Sequence, residues 1–273
     1  MTLLPPAAVA AAYEACCLAE LDALKPGNVH VFSAGHRMDA ADFVTSAAVS
    51  APHLAKAGAG LGQRVLGGVE ATMAAVGQNT NLGILLLCAP LAMAAERGIP
   101  LGDVLDGLEA QDAADVFAAI RIANPGGLGA AARHDVHEAA PASLLAAMAE
   151  AAPRDRIAGA YVTGFSDLAA IGLPALAAAR GRGLAPPWTT TAVFLAYLAA
   201  VPDSHVARKH GAARAEAVRS EARALLSLDL ATGPVSALLA HDARLKAEAI
   251  NPGTSADFTV ATLFCDALAL PVA

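Results

Sequence analysis

Charge is scarce in this chain of 273 residues, with Asp, Glu, Lys and Arg making up 16%, and aromatic residues are scarcer still at 4%. A β-sandwich of aromatic and β-branched strands is therefore disfavoured, whereas a 56% hydrophobic content rich in Ala and Leu suits interdigitating helices. The expected fold class is all-α. The four cysteines, Cys16, Cys17, Cys88 and Cys265, form no CxxC pair, so buried reduced thiols are expected. The longest apolar run, Leu82 to Ala95, has 14 residues and contains Pro90, whereas a membrane span needs about 20. The first cation is Lys25 and Glu14 interrupts the early apolar stretch, so no signal peptide is read and a cytoplasmic protein with no membrane partner is expected. A net charge of −7 gives no field that would attract nucleic acid. A phosphorylated small ligand would need a local cluster of cations or bound Mg²⁺. GxxxxGK[ST], HExxH, GxSxG and GxGxxG are all missing, which argues against a P-loop NTPase, a zincin, an α/β-hydrolase and a Rossmann dinucleotide site.

What the chain does have is a set of sharp polar corners between alanine-rich helical stretches. Pro-Gly occurs beside a polar residue in Lys25-Pro26-Gly27-Asn28, Asn124-Pro125-Gly126-Gly127 and Asn251-Pro252-Gly253-Thr254, and Gly77-Gln78-Asn79-Thr80-Asn81-Leu82-Gly83 makes a fourth corner. Proline fixes φ and glycine permits positive φ, so backbone amides can converge on a ligand at such turns. Some of these corners are expected to meet around one anionic substrate. Helical spacing of apolar residues predicts helices before Lys25, over Asp42 to Gly60, Asp103 to Ala123, Pro141 to Ala152, Asp155 to Ala179, Trp188 to Ala200, Ser204 to Leu228 and from Thr254 onward, with a break across Gly58 to Gly68. Gly83 to Ala95 is apolar almost all round and predicts a buried central helix whose N-terminus, capped by Thr80 or Asn81, faces the Asn79-Thr80-Asn81 loop. Residues 1–273 are expected to form one globular domain of about ten helices.

Besides Glu20, five polar clusters could carry chemistry, and each has a plain structural alternative. Glu20 sits at the edge of an apolar helix face, where it either snorkels to water or serves a site. Lys25, Asn28 and His30, with His36 and Asp39, could bind phosphate and move a proton, or simply form a surface turn. Asn79, Thr80 and Asn81 are more polar residues than one helix cap requires. Arg133, His134, Asp135 and His137 follow the second Pro-Gly turn but lack a zinc-ligand register. Asp203, Ser204 and His205 precede Arg208 and Lys209, and Arg208 continues the inward stripe of its helix, so it requires an anion or a neighbouring carboxylate. Asn251, Thr254, Ser255 and Asp257 close the set, and Thr254 with Asp257 also matches a capping box.

Taken together and in order, Lys25-Pro-Gly-Asn-Val-His30, Gly77-Gln-Asn-Thr-Asn-Leu-Gly83, Asp203 with Arg208-Lys209, and Asn251-Pro-Gly-Thr-Ser-Ala-Asp257 resemble the triphosphoribosyl-dephospho-CoA synthase family, from about Glu20 to Phe264. The resemblance implies an all-α transferase that moves the 5-triphosphoribosyl group of ATP to the 2′-hydroxyl of 3′-dephospho-CoA and releases adenine. Substitution at an anomeric carbon requires a carboxylate near the ribose and a base for the acceptor hydroxyl. On that reading Lys25, Arg208 and Lys209 bind phosphate, and Asn28, His30, Asn79, Thr80, Asn81, Asn251, Thr254 and Ser255 bind ATP. Glu20, Asp39, Asp203 and Asp257 serve proton transfer, with Glu20, Asp203 and Asp257 also holding Mg²⁺. Asn28-Val29-His30 and Asn81-Leu82 resemble the branch seen in methanogens and methylotrophs, where the acceptor would belong to one-carbon cofactor biosynthesis (methanopterin or methanofuran). Two competing functions use the same residues: a Mg²⁺-dependent N-glycosidic hydrolase and a non-catalytic nucleotide-binding helical protein. Alanine-rich helix faces would allow a homodimer.

Overall fold

In the computed structural model the described residues are 3–32, 39–124 and 143–272. Among them the chain is 74% helical with no strand, so the all-α expectation holds. His36, Pro125 to Gly127, Arg133, His134, Asp135 and His137 lie outside the described residues. The α-helices are α1 (Pro6–Leu21), α2 (Ala40–Leu54), α3 (Leu61–Val76), α4 (Leu82–Arg97), α5 (Leu101–Asp106), α6 (Ala110–Ala123) and α7 (Leu144–Ala151), followed by α8 (Arg156–Val162), α9 (Leu173–Gly181), α10 (Pro186–Ala200), α11 (Ser204–His210), α12 (Ala212–Leu225), α13 (Val235–Ala247) and α14 (Gly253–Ala267).

The uniform hydrophobicity of α4 is explained by its position: thirteen of its sixteen residues are buried, so it has no solvent face. Pro90 lies inside this helix and cannot donate to the carbonyl of Leu86 four residues earlier. The phenol of Tyr161 on α8 donates to that carbonyl at 2.7 Å instead. An orphaned polar group in the core is thus satisfied from a neighbouring helix. The main core surrounds α4 and includes Tyr13, Leu61, Val65, Leu85, Val116, Phe165, Phe258 and Phe264. A second core joins Leu24 to Phe194, Leu198, Val206, Val218, Leu238 and Leu245.

The helices outnumber the sequence expectation because the long apolar stretches are interrupted. The stretch read as one helix from Ser204 to Leu228 breaks at Gly211, which takes φ +86° between α11 and α12. That read from Asp155 to Ala179 breaks at Gly164 and Phe165, both at positive φ, before a π-helical turn over Leu168–Gly172 leads into α9. Conversely, the glycines read as a break between residues 58 and 68 lie mostly inside α3. A Cβ at Gly62 would lie 2.8 Å from the Asp112 backbone, and one at Gly68 would lie 2.9 Å from the Leu85 side chain. These glycines allow α3 to pack closely against α6 and α4.

Arg64 on α3 is fully buried, and its guanidinium donates to the carbonyls of Leu54 at 2.7 Å and Ala59 at 3.1 Å and pairs with Glu96. It satisfies the C-terminal end of α2 from within the core.

Candidate active site

Two Pro-Gly corners meet by direct packing. Gly27 takes φ +84°, and a Cβ there would lie 2.8 Å from the ring of Pro252 and 3.1 Å from the carbonyl of Ile250, so only glycine lets the two turns lie against each other. The Gly27 amide donates to Asp242 on α13 at 2.8 Å, and Asn28 Nδ2 donates to Asn251 Oδ1 at 2.8 Å. Asp242 also receives Lys246 at 3.1 Å and lies 3.4 Å from His30 Nε2. Burial opposes ionisation of Asp242, but its contacts with His30, Gly27 and Lys246 hold the carboxyl below the usual carboxylate range. His30 is buried against this carboxylate, and burial lowers its pKa. It buttresses the turn and does not line the cavity described next.

A cavity of about 550 Å³ opens beside these turns, within the ordinary size of small-ligand sites. Its polar wall carries Glu20, Asn28, Asn251, Thr254 and Asp257 together with Arg208 and Lys209 of α11. Gln78 through Gly83 bring the N-terminus of α4 to it, and Ile120, Met148, Ile157 and Ala158 give it an apolar side. Residues far apart along the chain therefore face one space, as the sequence reading expected of Asn28, Asn79, Thr80, Asn81, Arg208, Lys209, Asn251, Thr254, Asp257 and Glu20.

The corner before α4 is tied down by its own side chains. Asn81 occupies the N-cap position, but its Nδ2 donates to Ser50 and Thr72, and it is Asn79 Oδ1 that accepts from the Leu82 amide at 3.1 Å. Thr80 donates to Ser46 at 2.6 Å. The amides of Gly83 and Ile84 have no partner among the described residues, so the positive end of α4 is open toward the cavity.

Asp257 lies against this helix end, since a Cβ on Gly83 would come within 2.1 Å of its Oδ2. No side-chain cap begins α14, so the capping box read for Thr254 and Asp257 does not form, because the helix starts one residue earlier, at Gly253. Thr254 Oγ1 instead accepts from the His205 amide at 3.2 Å, and the Asp257 carboxylate has no hydrogen-bond partner among the described residues. Burial first, and then the carboxylates of Asp203, Glu20 and Asp155, push its pKa well above the usual carboxylate range, with Arg208 opposing.

Besides His30, four expected site residues, Lys25, Asp203, Ser255 and Asp39, have other places. Lys25 is fully buried and donates to Glu20 Oε1 at 2.7 Å, Asn28 Oδ1 at 3.0 Å and the Val29 carbonyl at 2.5 Å, which uses every N–H it has and leaves none for phosphate. Burial pushes Lys25 down and Glu20 up in pKa, and each opposes the shift of the other. Asp203 accepts from the His205 and Val206 amides with one oxygen and from the Ser255 amide and hydroxyl with the other, so it clasps α11 to α14. Both its oxygens, and the Ser255 hydroxyl, are thereby committed within the protein. Asp39 is the exposed N-cap of α2, in a capping box with Asp42, and is not among the residues that line the cavity.

Asp155 went unnoticed in the sequence. Its Oδ1 caps α8 through the Ile157 and Ala158 amides, and its Oδ2 lies 3.5 Å from Arg208, so it aligns the guanidinium that α11 brings to the cavity. A carboxylate before an apolar helix signalled only a cap. Lys209 is exposed at the rim, and its pKa is lowered by partial burial and by Arg208. No group of three or more His, Cys, Asp or Glu side chains able to hold a metal occurs among the described residues.

Residues 6–272 match the CitG family, described as ATP:dephospho-CoA triphosphoribosyl transferase. A solved structure of an Archaeoglobus fulgidus protein assigned as a triphosphoribosyl-dephospho-CoA synthase is similar in fold, with a TM-score of 0.61 at 22% identity over 80% of this chain and 95% of that one. No curated protein sequence matches significantly.

Proposed function

Because this chain belongs to the ATP:dephospho-CoA triphosphoribosyl transferase family, whose members transfer the triphosphoribosyl group of ATP to dephospho-CoA, we propose that its cavity brings these two substrates together and releases adenine. The observation that carries this reading is the convergence on one cavity of two cations, an open helix N-terminus and three carboxylates, Glu20, Asp155 and Asp257, that are far apart along the chain.

Arg208 and Lys209 bind the triphosphate, Asp155 holds Arg208 in line, and the free amides of Gly83 and Ile84 add donors at the positive end of α4. At the ribose, the bond from C1′ to N9 of adenine breaks as the bond from C1′ to the acceptor oxygen forms. Positive charge develops at C1′, and carboxylates nearby stabilise it. Glu20 takes the proton of the attacking 2′-hydroxyl and passes it on to water, while the purine takes one proton from water and leaves as neutral adenine. The donor set fits Mg²⁺ held by phosphate oxygens with Asp257 as the protein ligand, since that carboxylate has no partner and is crowded by like charges. When bound, the ion would neutralise part of the triphosphate charge. Asp203, with both oxygens occupied, positions α11 and α14.

Unpaired cysteines support a cytoplasmic site of action. No helix among the described residues is long and apolar enough to cross a membrane. A homodimer through alanine-rich faces belongs to the same proposal. Mass spectrometry of products from ATP, Mg²⁺ and a panel of alcohols including dephospho-CoA tests the reading. Adenine release that depends on dephospho-CoA and yields the triphosphoribosylated product supports it. Release without any acceptor indicates a hydrolase and contradicts it.

A further inference from the structure

We propose that Lys25 is a positioning residue that fixes Glu20 as an acceptor and Asn251 as a donor on the cavity wall, and that this pair holds a ribose by its hydroxyls. The transferase reading enters only in the choice of nucleotide to be tested.

The inference follows from the direction of the hydrogen bonds. An ammonium group donates and never accepts, so the Asn28 atom 3.0 Å from Lys25 Nζ has to be the amide oxygen. Asn28 Nδ2 is then turned to Asn251 and donates to its Oδ1 at 2.8 Å. With its oxygen engaged, the Asn251 amide keeps its Nδ2 as a donor with no partner among the described residues, and Asn251 lines the cavity. On the other side of the ammonium, Glu20 gives Oε1 to Lys25 and retains Oε2, and Glu20 lines the same cavity.

One buried cation therefore sets the polarity of two groups that face the ligand. A phosphate oxygen only accepts, and Glu20 would repel it. A hydroxyl donates and accepts, so it suits both members of the pair. The two substrates each carry a ribose, and the experiment decides which one is held.

Equilibrium affinities are measured for ATP, 2′-deoxy-ATP, 3′-deoxy-ATP, dephospho-CoA and its 2′-deoxy and 3′-deoxy analogues, with the wild-type protein and with Lys25→Met and Asn28→Asp. Asn28→Asp keeps an oxygen for Lys25 but loses the donor to Asn251, so it tests the relay even if Lys25→Met fails to fold. The wild type should prefer the hydroxylated ligand by on the order of 10-fold or more at one ribose, as a hydrogen bond to a charged group allows. In both folded variants that preference should fall to within about 2-fold, while affinity for the deoxy ligand changes little. A lost preference among the ATP analogues assigns the pair to the donor ribose, and one between the dephospho-CoA ligands assigns it to the acceptor. A uniform weakening of all ligands with the preference retained, or no preference in the wild type, overturns the proposal. Adenine release without an acceptor would contradict the transferase reading while leaving this preference measurable.

Discussion

Gly83→Ala separates stability from function more sharply than any other single change in this site. The added Cβ would lie 2.1 Å from Asp257 Oδ2, 2.6 Å from its Cγ and 2.9 Å from Ile157 Cδ1. Ordinary contact begins near 3.4 Å, so the carboxylate has to retreat by more than 1 Å. The nearest atoms belong to the far end of a side chain that can rotate, which puts the packing cost at the low end of the roughly 1–3 kcal/mol typical of overpacking. Alanine in place of glycine inside a helix returns up to about 1 kcal/mol. The two effects nearly cancel in stability. They do not cancel in function, because a reacting or binding group displaced by about 1 Å can lose on the order of 100-fold in rate. Thermal melts should therefore stay within a few degrees of wild type, while acceptor-dependent adenine release falls by on the order of 100-fold. Adding Asp257→Ala to Gly83→Ala should restore the space without restoring turnover. Full turnover by a well-folded Gly83→Ala protein would refute the role given to Asp257 and to the close approach of α14 to α4.

Three further changes test other parts of the account. Arg208→Met removes the guanidinium that Asp155 aligns and should weaken ATP binding by on the order of 10-fold to 100-fold, measured by titration calorimetry, with little change in melting temperature. Tyr161→Phe leaves the Leu86 carbonyl without its donor beside Pro90 and should lower unfolding free energy by about 1–3 kcal/mol in urea titrations, with catalysis unaffected. Glu96 is held below its usual pKa because, although burial opposes ionisation, the Gly58 amide and Arg64 favour the charged form. A carboxyl lowered in this way contributes stability that is complete above the unfolded pKa, near 4.5, and is lost as pH falls through the lower folded value. The melting temperature should fall over that acid range, and Glu96→Gln should flatten this part of the profile.

Much of the fold was legible because α4 is apolar on every side and the polar groups cluster at corners. The inward stripe through Arg208 called for an anionic partner, and the carboxylate of Asp155 lies 3.5 Å from it. The rest depended on partners far away in sequence. The glycines of α3 read as a break because local propensity carries no record of the Asp112 backbone and the Leu85 side chain they allow to approach. A lysine at a Pro-Gly turn reads as exposed, whereas the meeting of that turn with Pro252 buries Lys25 among three acceptors. Asp203 looked like a free site carboxylate because its second set of donors, from Ser255, comes from another helix. Asp155 gains its importance only when α11 brings Arg208 to it.

Whether corners distant in sequence build one cavity for a nucleotide's triphosphate is decided by a crystal structure with a non-reactive ATP analogue and Mg²⁺. The triphosphate should lie between Arg208, Lys209 and the amides of Gly83 and Ile84, with Asp257 next to the metal. A triphosphate bound on another surface, with Arg208 and Asp257 untouched, would contradict this placement.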